Sequence, residues 1–253
     1  MLARMGAIQF LLPLCIGTVV VIVLVQRAFF SNVAKLRRSM RTTPHTRIVD
    51  SVDGSLVRII GRVEAVPNSA PLEAPFSRRT SVYFFAAAYE AAGKSGSRLV
   101  AAAERAVPFL VRDESGVAYV DLGEGPPRNM SHVYGIGGEL QASLVDAGRD
   151  YAHSSGIFDD PDAHQQEFLQ KHGIQTQTML MNVNKSFQYH EQIIEVGEKV
   201  CLLGIARHEP ESAGDGVITP GPSYRGSAKK LRVTLVAPPN ARIGLSDSFN
   251  TTD

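Results

Sequence analysis

Residues 56–66 read LVRIIGRVEAV, a near-alternating mixture of β-branched and charged residues. Such alternation is typical of a β-strand that buries one face. Gly61 lies in the middle of the run, and a glycine inside a strand marks a bulge or a bend at the corner of a barrel. The stretch therefore predicts a curved strand and favours a barrel as the core of the folded domain.

A hairpin is the clearest local signal on the carboxyl side of this strand. Two strand-like runs, residues 107–112 and 117–122, are separated by Asp-Glu-Ser-Gly. Asp113 is expected to open a type I turn, and Gly116 is expected to supply the left-handed position that closes a bulged hairpin. The flexible tip of a second hairpin is expected at residues 94–97.

Four more segments complete the expected strands. Residues 81–89 carry several aromatics on one face, for which core packing is the favoured interpretation. Residues 191–194 and 200–206 flank a type II turn in which Gly197 takes the positive φ, and a last strand covers residues 231–237. The count is six to eight strands.

One helix is clear, at residues 161–172. Asp160 is expected to be its N-cap, with Pro161 at the first helical position. Gly173 is expected to end it in a Schellman motif that folds Ile174 back onto the last turn. The fold class is therefore mainly β (α+β), with one β-barrel-like domain, of which an OB-like barrel is one form, and one clear helix.

The amino-terminal part of the chain predicts a transmembrane helix at residues 7–26. Residues 7–25 carry no charge, and nineteen helical residues span about 28 Å, close to the hydrocarbon thickness of a bilayer. A cleaved signal peptide is the alternative, although the run is long and lacks a small-residue cleavage site. A buried core helix fits less well, because this run is apolar on every face.

A basic stretch follows the apolar run, whereas only Arg4 precedes it. This asymmetry places the soluble domain on the cytoplasmic side of the membrane, in an organelle that the sequence does not specify. Basic side chains next to a span also attract anionic headgroups. The residues expected at the membrane surface are Arg27, Lys35, Arg37, Arg38 and Arg41.

The expected organisation has five parts. They are an N-terminal tail (1–6), a transmembrane helix (7–26), a basic juxtamembrane stalk (27–54), a β-domain (55–247) and a C-terminal tail (248–253). We expect order to begin near Leu56. Because the formal net charge is only +1, the strongly basic balance of nucleic-acid-binding proteins is missing, and no nucleic-acid partner is expected.

Several short motifs occur in one order along the β-domain and together resemble a known family. The matching pieces are residues 57–63 (VRIIGRV), 71–75 (PLEAP), 82–83 (VY), 109–113 (FLVRD) with Gly116 and Ala118, 189–191 (YHE), 197–198 (GE) and 200–204 (VCLLG). They resemble the soluble "beside a membrane" domain of the GIDE family, the membrane-anchored mitochondrial E3 ubiquitin ligases also called MULAN or MAPL. The resemblance covers about residues 56–248.

This resemblance implies a membrane-anchored β-domain with a link to ubiquitination machinery. Members of the family also have a second membrane helix and a C-terminal RING, which holds two zinc ions with about eight Cys and His ligands. Cys15 and Cys201 are the two cysteines of this chain, and they cannot supply such a set. We therefore expect no ubiquitin transfer by this chain alone.

Three groups of residues are candidate sites of chemistry. His153, Asp159, Asp160, Asp162 and His164 are of metal-ligand type, but acids at a helix start explain them better, and no metal or cofactor is expected. The residues 135–138 (GIGG) lack the full spacing of a phosphate-binding loop. A hydrolase would need a Ser or Asp close to His190 or His153, and no nucleophile-elbow motif is present.

The leading hypothesis is a membrane-tethered, non-catalytic protein-interaction module whose partners are the lipid bilayer and a protein. The alternative is an E3 ligase component that recognises substrates while another subunit supplies the RING, and the third hypothesis is a membrane-bound hydrolase. The module would present loops or a strand edge to its partner. The candidate interaction face consists of Tyr83, Phe85, Tyr89, Tyr189 and Glu191.

Overall fold

The computed structural model describes most of the region that follows the apolar run. The described residues are 35–67, 69–92, 96–123, 143–156, 159–176, 185–210, 231–239 and 241–248. None of the helices within these ranges has the length and apolar character needed to cross a bilayer. The expected transmembrane helix at residues 7–26 lies outside the described ranges.

The described residues form twelve strands and two helices. The strands are β1 (Leu56–Ala65), β2 (Leu72–Glu73), β3 (Thr80–Ala92), β4 (Gly96–Ala106), β5 (Phe109–Arg112), β6 (Val117–Val120), β7 (Ser143–Asp146), β8 (Tyr151–Ser155), β9 (Phe187–Glu195), β10 (Lys199–Pro210), β11 (Leu231–Val236) and β12 (Ile243–Ser246). Helix α1 covers residues 35–42, α2 is Ala163–Lys171, and a 3-10 turn lies at Ile48–Asp50. The mainly β fold class is confirmed.

Five strands close into a ring, which confirms a barrel-like sheet. The ring runs β1–β5–β6–β11–β10 and returns to β1 through an antiparallel β1–β10 pairing. All neighbours in it are antiparallel except β6 and β11, which are parallel. Strand β10 pairs with β12 as well as with β11, and β12 pairs in parallel with β7. The ring encloses apolar side chains from every one of its strands.

Gly61 lies where β1 changes partner, as its place in the sequence predicts. Strand β1 pairs with β10 as far as Arg62 and with β5 from Arg62 onward. A Cβ at Gly61 would lie 2.5 Å from the carbonyl oxygen of Arg112 and 2.7 Å from Cγ1 of Val111. The missing side chain therefore lets two strands approach closely at the corner of the barrel.

A second sheet packs against the barrel, and α2 packs on the far side of that sheet. Strand β3 lies between β9 on one side and β2 and β4 on the other, and β8 pairs with β9. One face of this sheet contributes to the barrel core, and the other is covered by α2 and the loop after β2. The hairpin predicted around residues 94–97 is confirmed as β3–β4, although residues 93–95 lie outside the described ranges.

The β5–β6 hairpin is confirmed, but its turn closes differently from the prediction. Asp113 Oδ1 accepts hydrogen bonds from the backbone N–H of Ser115 (2.6 Å) and of Gly116 (2.8 Å), so the aspartate side chain organises the turn. Gly116 is not among the residues with positive φ, so the expected left-handed position there is wrong. A Cβ on Gly116 would lie 3.3 Å from Ile48, which explains the glycine by close approach instead.

Helix α2 begins two residues later than predicted. Its N-cap is Asp162 rather than Asp160, because Asp162 forms a capping box with Gln165. The predicted end is confirmed: Gly173 has φ +68°, and the N–H of Ile174 donates to the carbonyl of Leu169 at 2.9 Å. This is the Schellman pattern, and it satisfies carbonyls of the last turn.

The expected turn at Val196 and Gly197 is confirmed, with Gly197 at φ +92° and a bond from the N–H of Glu198 to the carbonyl of Glu195. It does not join two paired strands, because β9 belongs to the second sheet and β10 to the barrel. The turn is therefore the place where the chain crosses between sheets.

Strand β12 was not predicted.

The expectation that order begins near Leu56 is wrong, because part of the segment predicted as a stalk is folded. From residue 35 the chain forms α1, whose Leu36 and Met40 are buried against Cys201 on the outside of the barrel. A Cβ on Gly244 would overlap Leu36, so the helix lies directly on β12. Order therefore begins before Leu56, because an apolar i, i+4 pair docks this segment.

Candidate interaction surfaces

Four of the five residues of the predicted interaction face are buried, Tyr89 is partly buried, and the five are split between two sides of the second sheet. Tyr83 and Tyr189 are fully buried, and Phe85 is nearly so. Tyr83 and Phe85 face the barrel core, whereas Tyr189 faces α2. Burial raises the pKa of Tyr189 to about 12. These side chains therefore cannot present a surface to a partner, and the core-packing interpretation of the β3 aromatics is confirmed.

Residues 189–191 of β9 alternate between the two sides of the second sheet. His190 lies on the barrel side, where its ring meets Tyr89 edge to face at 5.4 Å. Burial, followed by the charge of Arg149, lowers the pKa of His190. Glu191 lies on the opposite side, is fully buried, and has a structural rather than a surface position.

Glu191 binds the loop that follows β2. Its Oε1 accepts from the N–H of Phe76 at 2.8 Å, and its Oε2 accepts from the N–H of Ser77 at 3.0 Å. Two of the motifs behind the family resemblance, residues 71–75 and 189–191, are therefore adjacent in space. A buried carboxylate that accepts two backbone donors holds both segments in one arrangement.

The outer side of the same loop is tied to α2 by Arg78. Arg78 has a positive φ of 58°, which is uncommon for a residue other than glycine. Its guanidinium donates to Glu73 (2.7 Å), to Glu167 (2.6 Å) and to Nδ1 of His164 (2.9 Å). These contacts are exposed, so they orient the loop more than they stabilise it.

The basic residues expected at the membrane surface divide into three groups. Arg27 lies outside the described ranges. Arg37 is exposed, but its guanidinium is engaged in a two-point ion pair with the buried Asp146. Lys35, Arg38 and Arg41 are exposed on α1. Among the described basic residues of this set, only these last three have no ion pair.

Several carboxylates meet where the two sheets join. Burial raises the pKa of Glu198 to about 7, and the nearby charges of Asp247, Asp150 and Glu195 act in the same direction. Burial likewise raises the pKa of Asp247 and of Asp150. Arg79 offsets part of this charge through its ion pair with Glu195. Acids alone do not define a binding site, but they predict a dependence of stability on pH.

The histidines named for a hydrolase have other neighbours. Nδ1 of His153 lies 3.0 Å from Nε2 of Gln165, and Nδ1 of His190 is buried without a hydrogen-bond partner. Ser51 Oγ lies 3.3 Å from Nε2 of His208, but its own proton is donated to the carbonyl of Ile48 at 2.7 Å. Within the described ranges no Ser or Asp side chain is hydrogen-bonded to His153 or His190.

The residues weighed as metal ligands are dispersed into structural roles. Asp162 caps α2, His164 accepts from Arg78, and His153 contacts Gln165. In the part of the chain that the structure describes, no group of three or more ligand-type side chains could hold a metal ion. The helix-start interpretation of Asp162 is confirmed.

Strand β4 has an open edge. Among the described residues it pairs with β3 alone, along ten registered positions. Its central segment, residues 99–103, reads LVAAA and carries no charge, whereas Arg98, Glu104 and Arg105 flank it. Unpaired edges are ready to accept another strand, and proteins usually protect them with charges or proline. In β4 the charges lie on either side of residues 99–103, and this central segment itself contains neither a charge nor a proline.

The hydrogen-bond pattern shows which β4 amides face this edge. The N–H of Val107 donates to the carbonyl of Val82 at 3.0 Å, so this directly opposed pair is hydrogen-bonded. Hydrogen-bonded and non-hydrogen-bonded pairs alternate in an antiparallel ladder, which makes Ala103 bonded to β3 and Ala102 not bonded to it. The N–H and C=O of Ala102 therefore point outward from the sheet.

Comparisons with protein-family models, with curated proteins and with solved structures found no match to this chain.

Sequence reasoning missed the contacts that organise the molecule, although some left a signal. Leu36 and Met40 stand four residues apart among basic residues, which is the pattern of a short amphipathic helix. Glu191 lies inside a strand-like run between Tyr189 and Ile193, and an acid within such a run is rarely buried unless it has a partner. Asp146 gave no such signal.

Proposed function

We propose that this chain is a membrane-tethered, non-catalytic protein-interaction module whose partner adds an extended segment to the open edge of β4. The single observation that carries the proposal is the outward-facing backbone at Ala102, in the uncharged central segment of β4, which pairs with β3 alone among the described residues. Main-chain hydrogen bonds would supply affinity, and the flanking, exposed Arg105 would favour a partner with an acidic residue near one end. No catalytic group is assigned.

The barrel itself supports a finer proposal for the fold. In chain order the five strands of the ring are β1, β5, β6, β10 and β11. The third and the fifth of these, β6 and β11, are parallel, and the first, β1, pairs with both β5 and β10. A five-stranded Greek-key barrel is the architecture of the OB fold. We assign the ring to that type. The second sheet is then formed by two connections of the barrel: the segment between β1 and β5 supplies β2, β3 and β4, and the segment between β6 and β10 supplies β8 and β9.

The membrane tether and the link to the GIDE family are parts of the same proposal. The tether is supported by the uncharged run at residues 7–25, and the cytoplasmic orientation by the basic residues that follow it. The family link is supported by the hydrogen bonds from Phe76 and Ser77 to Glu191, because they join the motif at residues 189–191 to the loop that directly follows the motif at residues 71–75. A partner in the ubiquitination machinery agrees with that link.

Proline substitutions test the open edge directly. Ala102→Pro removes an outward N–H and leaves the bonds to β3 intact, so we expect lost capture of the membrane partner with little change in stability. Ala102→Gly keeps the N–H and is the matched control. Ala103→Pro removes a bond to β3 and should destabilise the sheet. Capture of the same partners by Ala102→Pro, measured by affinity purification from membranes and mass spectrometry, would refute the proposal.

Two further measurements test the tether and the alternative function. Deletion of residues 7–26 should release the chain from the membrane fraction, and unchanged membrane association would end the tether hypothesis. Purified full-length chain mixed with E1, E2 and ubiquitin should produce no autoubiquitination. Ubiquitin transfer in that mixture would favour the E3 ligase alternative.

A further inference from the structure

Helix α1 has two opposite faces of different character. At about 100° per residue, Leu36 and Met40 fall on one side, and Lys35, Arg38 and Arg41 fall on the other. The first pair is buried against the barrel, and the three basic residues are exposed. Within the described ranges none of these three side chains forms an ion pair, so their charges face outward uncompensated.

The helix is fixed to the barrel, so its basic face has a set direction. Leu36 and Met40 pack against Cys201 and over Gly244, where any side chain would collide with Leu36. Arg37 adds the ion pair to Asp146 from the flank of the helix. Packing and a buried ion pair together leave α1 little freedom to rotate on β10 and β12.

The helix also lies close to the uncharged run in the sequence. Val25 ends that run, and Lys35 follows ten residues later. Even a fully extended chain of that length reaches no more than about 35 Å. If residues 7–26 cross a bilayer, α1 must therefore begin within about 35 Å of its surface.

We propose that the exposed basic face of α1 rests on anionic lipid headgroups and that its docking to the barrel sets the orientation of the whole domain at the bilayer. This inference rests on the proposed membrane tether. Three fixed positive charges complement an anionic leaflet, and each basic residue near such a surface contributes favourably. Because α1 is fixed to the barrel, contact of its basic face with the headgroups would fix the orientation of the whole barrel relative to the membrane.

Quenching by lipid tests this contact in the full-length chain. Thr42 is exposed at the end of α1, so a fluorophore at Thr42→Cys, in a Cys15→Ala background, reports on headgroup contact; Cys201 is buried and out of reach of the label. The chain is reconstituted into nanodiscs of phosphatidylcholine, with or without phosphatidylserine, that carry a nitroxide headgroup. We expect stronger quenching with phosphatidylserine, and loss of that increase at high salt.

Matched charge variants separate the possible outcomes. Arg38→Gln with Arg41→Gln should return quenching in phosphatidylserine discs to the phosphatidylcholine level, whereas Arg105→Gln with Arg207→Gln, which removes two exposed charges elsewhere, should not. Equal quenching in both lipids, or an unchanged signal in Arg38→Gln with Arg41→Gln, would overturn the inference while leaving the tether intact. A chain that elutes without lipid would overturn the tether and this inference together.

Discussion

Arg37 and Asp146 lie 109 positions apart in the chain and form a two-point ion pair, with Nε to Oδ2 at 2.6 Å and Nη2 to Oδ1 at 2.8 Å. The aspartate side chain is 1% exposed, whereas that of the arginine is 47% exposed. Ser246 Oγ also donates to Oδ2 of Asp146 at 3.2 Å. The pair therefore joins α1 to the ends of β7 and β12.

Removal of this arginine should be costly despite its partial exposure. Arg37→Ala leaves a buried carboxylate without its cation, and we expect a loss of about 2–3 kcal/mol in the free energy of unfolding. Arg38→Ala removes a neighbouring exposed charge and should change it by less than about 0.5 kcal/mol. Urea denaturation measures both. Equal values for the two variants would show that the pair contributes nothing.

A second substitution confirms the cause. Asp146→Asn in the Arg37→Ala background removes the unpaired charge, so part of the lost stability should return. A further loss would mean that Arg37 acts through packing instead of charge.

Glu191→Gln should loosen the loop after β2. An amide has one acceptor oxygen, so it cannot accept from both Phe76 and Ser77, and its NH2 would face a backbone donor. We expect a loss of about 2–3 kcal/mol in the free energy of unfolding and faster tryptic cleavage after Arg78 or Arg79.

The exposed Glu73 supplies the control for this prediction. Glu73→Gln weakens a surface contact to Arg78 and should cost less than about 1 kcal/mol, with little change in the cleavage rate. Cleavage of Glu191→Gln at the wild-type rate would count against the role of this carboxylate.

The local signals in the sequence identified elements well, and the reason is physical. Gly61, Gly173 and Gly197 stand where a close approach or a positive φ excludes other side chains, so the residue type alone reveals the backbone. The type of fold followed from such signals. The hairpin at Asp113 was recognised for the same reason, even though the aspartate rather than Gly116 sets its turn.

The contacts between distant segments could not be read from the sequence. Whether Tyr83 and Tyr189 face solvent or core depends on what covers each side of their sheet, and alternation fixes only which residues share a side. In the same way, Arg37 looked like its basic neighbours until β7 placed Asp146 beside it. The open edge of β4 depends on strand order, which no local pattern specifies.

The carboxylates between the two sheets should make stability depend on pH. Glu198 has a folded-state pKa of about 7 against an ordinary value of 4.5, so the folded protein binds more protons than the unfolded chain between these values. Stability from this residue is therefore full below about pH 4.5 and is lost as the pH rises through 7.

Glu198→Gln isolates this contribution. The amide can still accept from the N–H of Glu195 but has no charge to bury, so the variant should gain about 1–2 kcal/mol relative to wild type between pH 5 and pH 8. Glu114 is exposed, and Glu114→Gln should show no such gain. Parallel stability curves of wild type and Glu198→Gln across this range would contradict the assignment.

Gly61→Ala should disrupt the corner of the barrel. The new methyl group would meet the Arg112 carbonyl oxygen at 2.5 Å, and a backbone atom held in the β1–β5 ladder cannot move aside as a flexible side chain can. We expect a loss of about 3 kcal/mol or more in the free energy of unfolding, because strand separation at this point opens the ring. Gly156→Ala adds the same methyl where nothing lies within 4 Å and should stay within about 0.5 kcal/mol of wild type. If urea denaturation gave the two alanine variants the same midpoint, the close approach of β1 and β5 would not be what requires glycine.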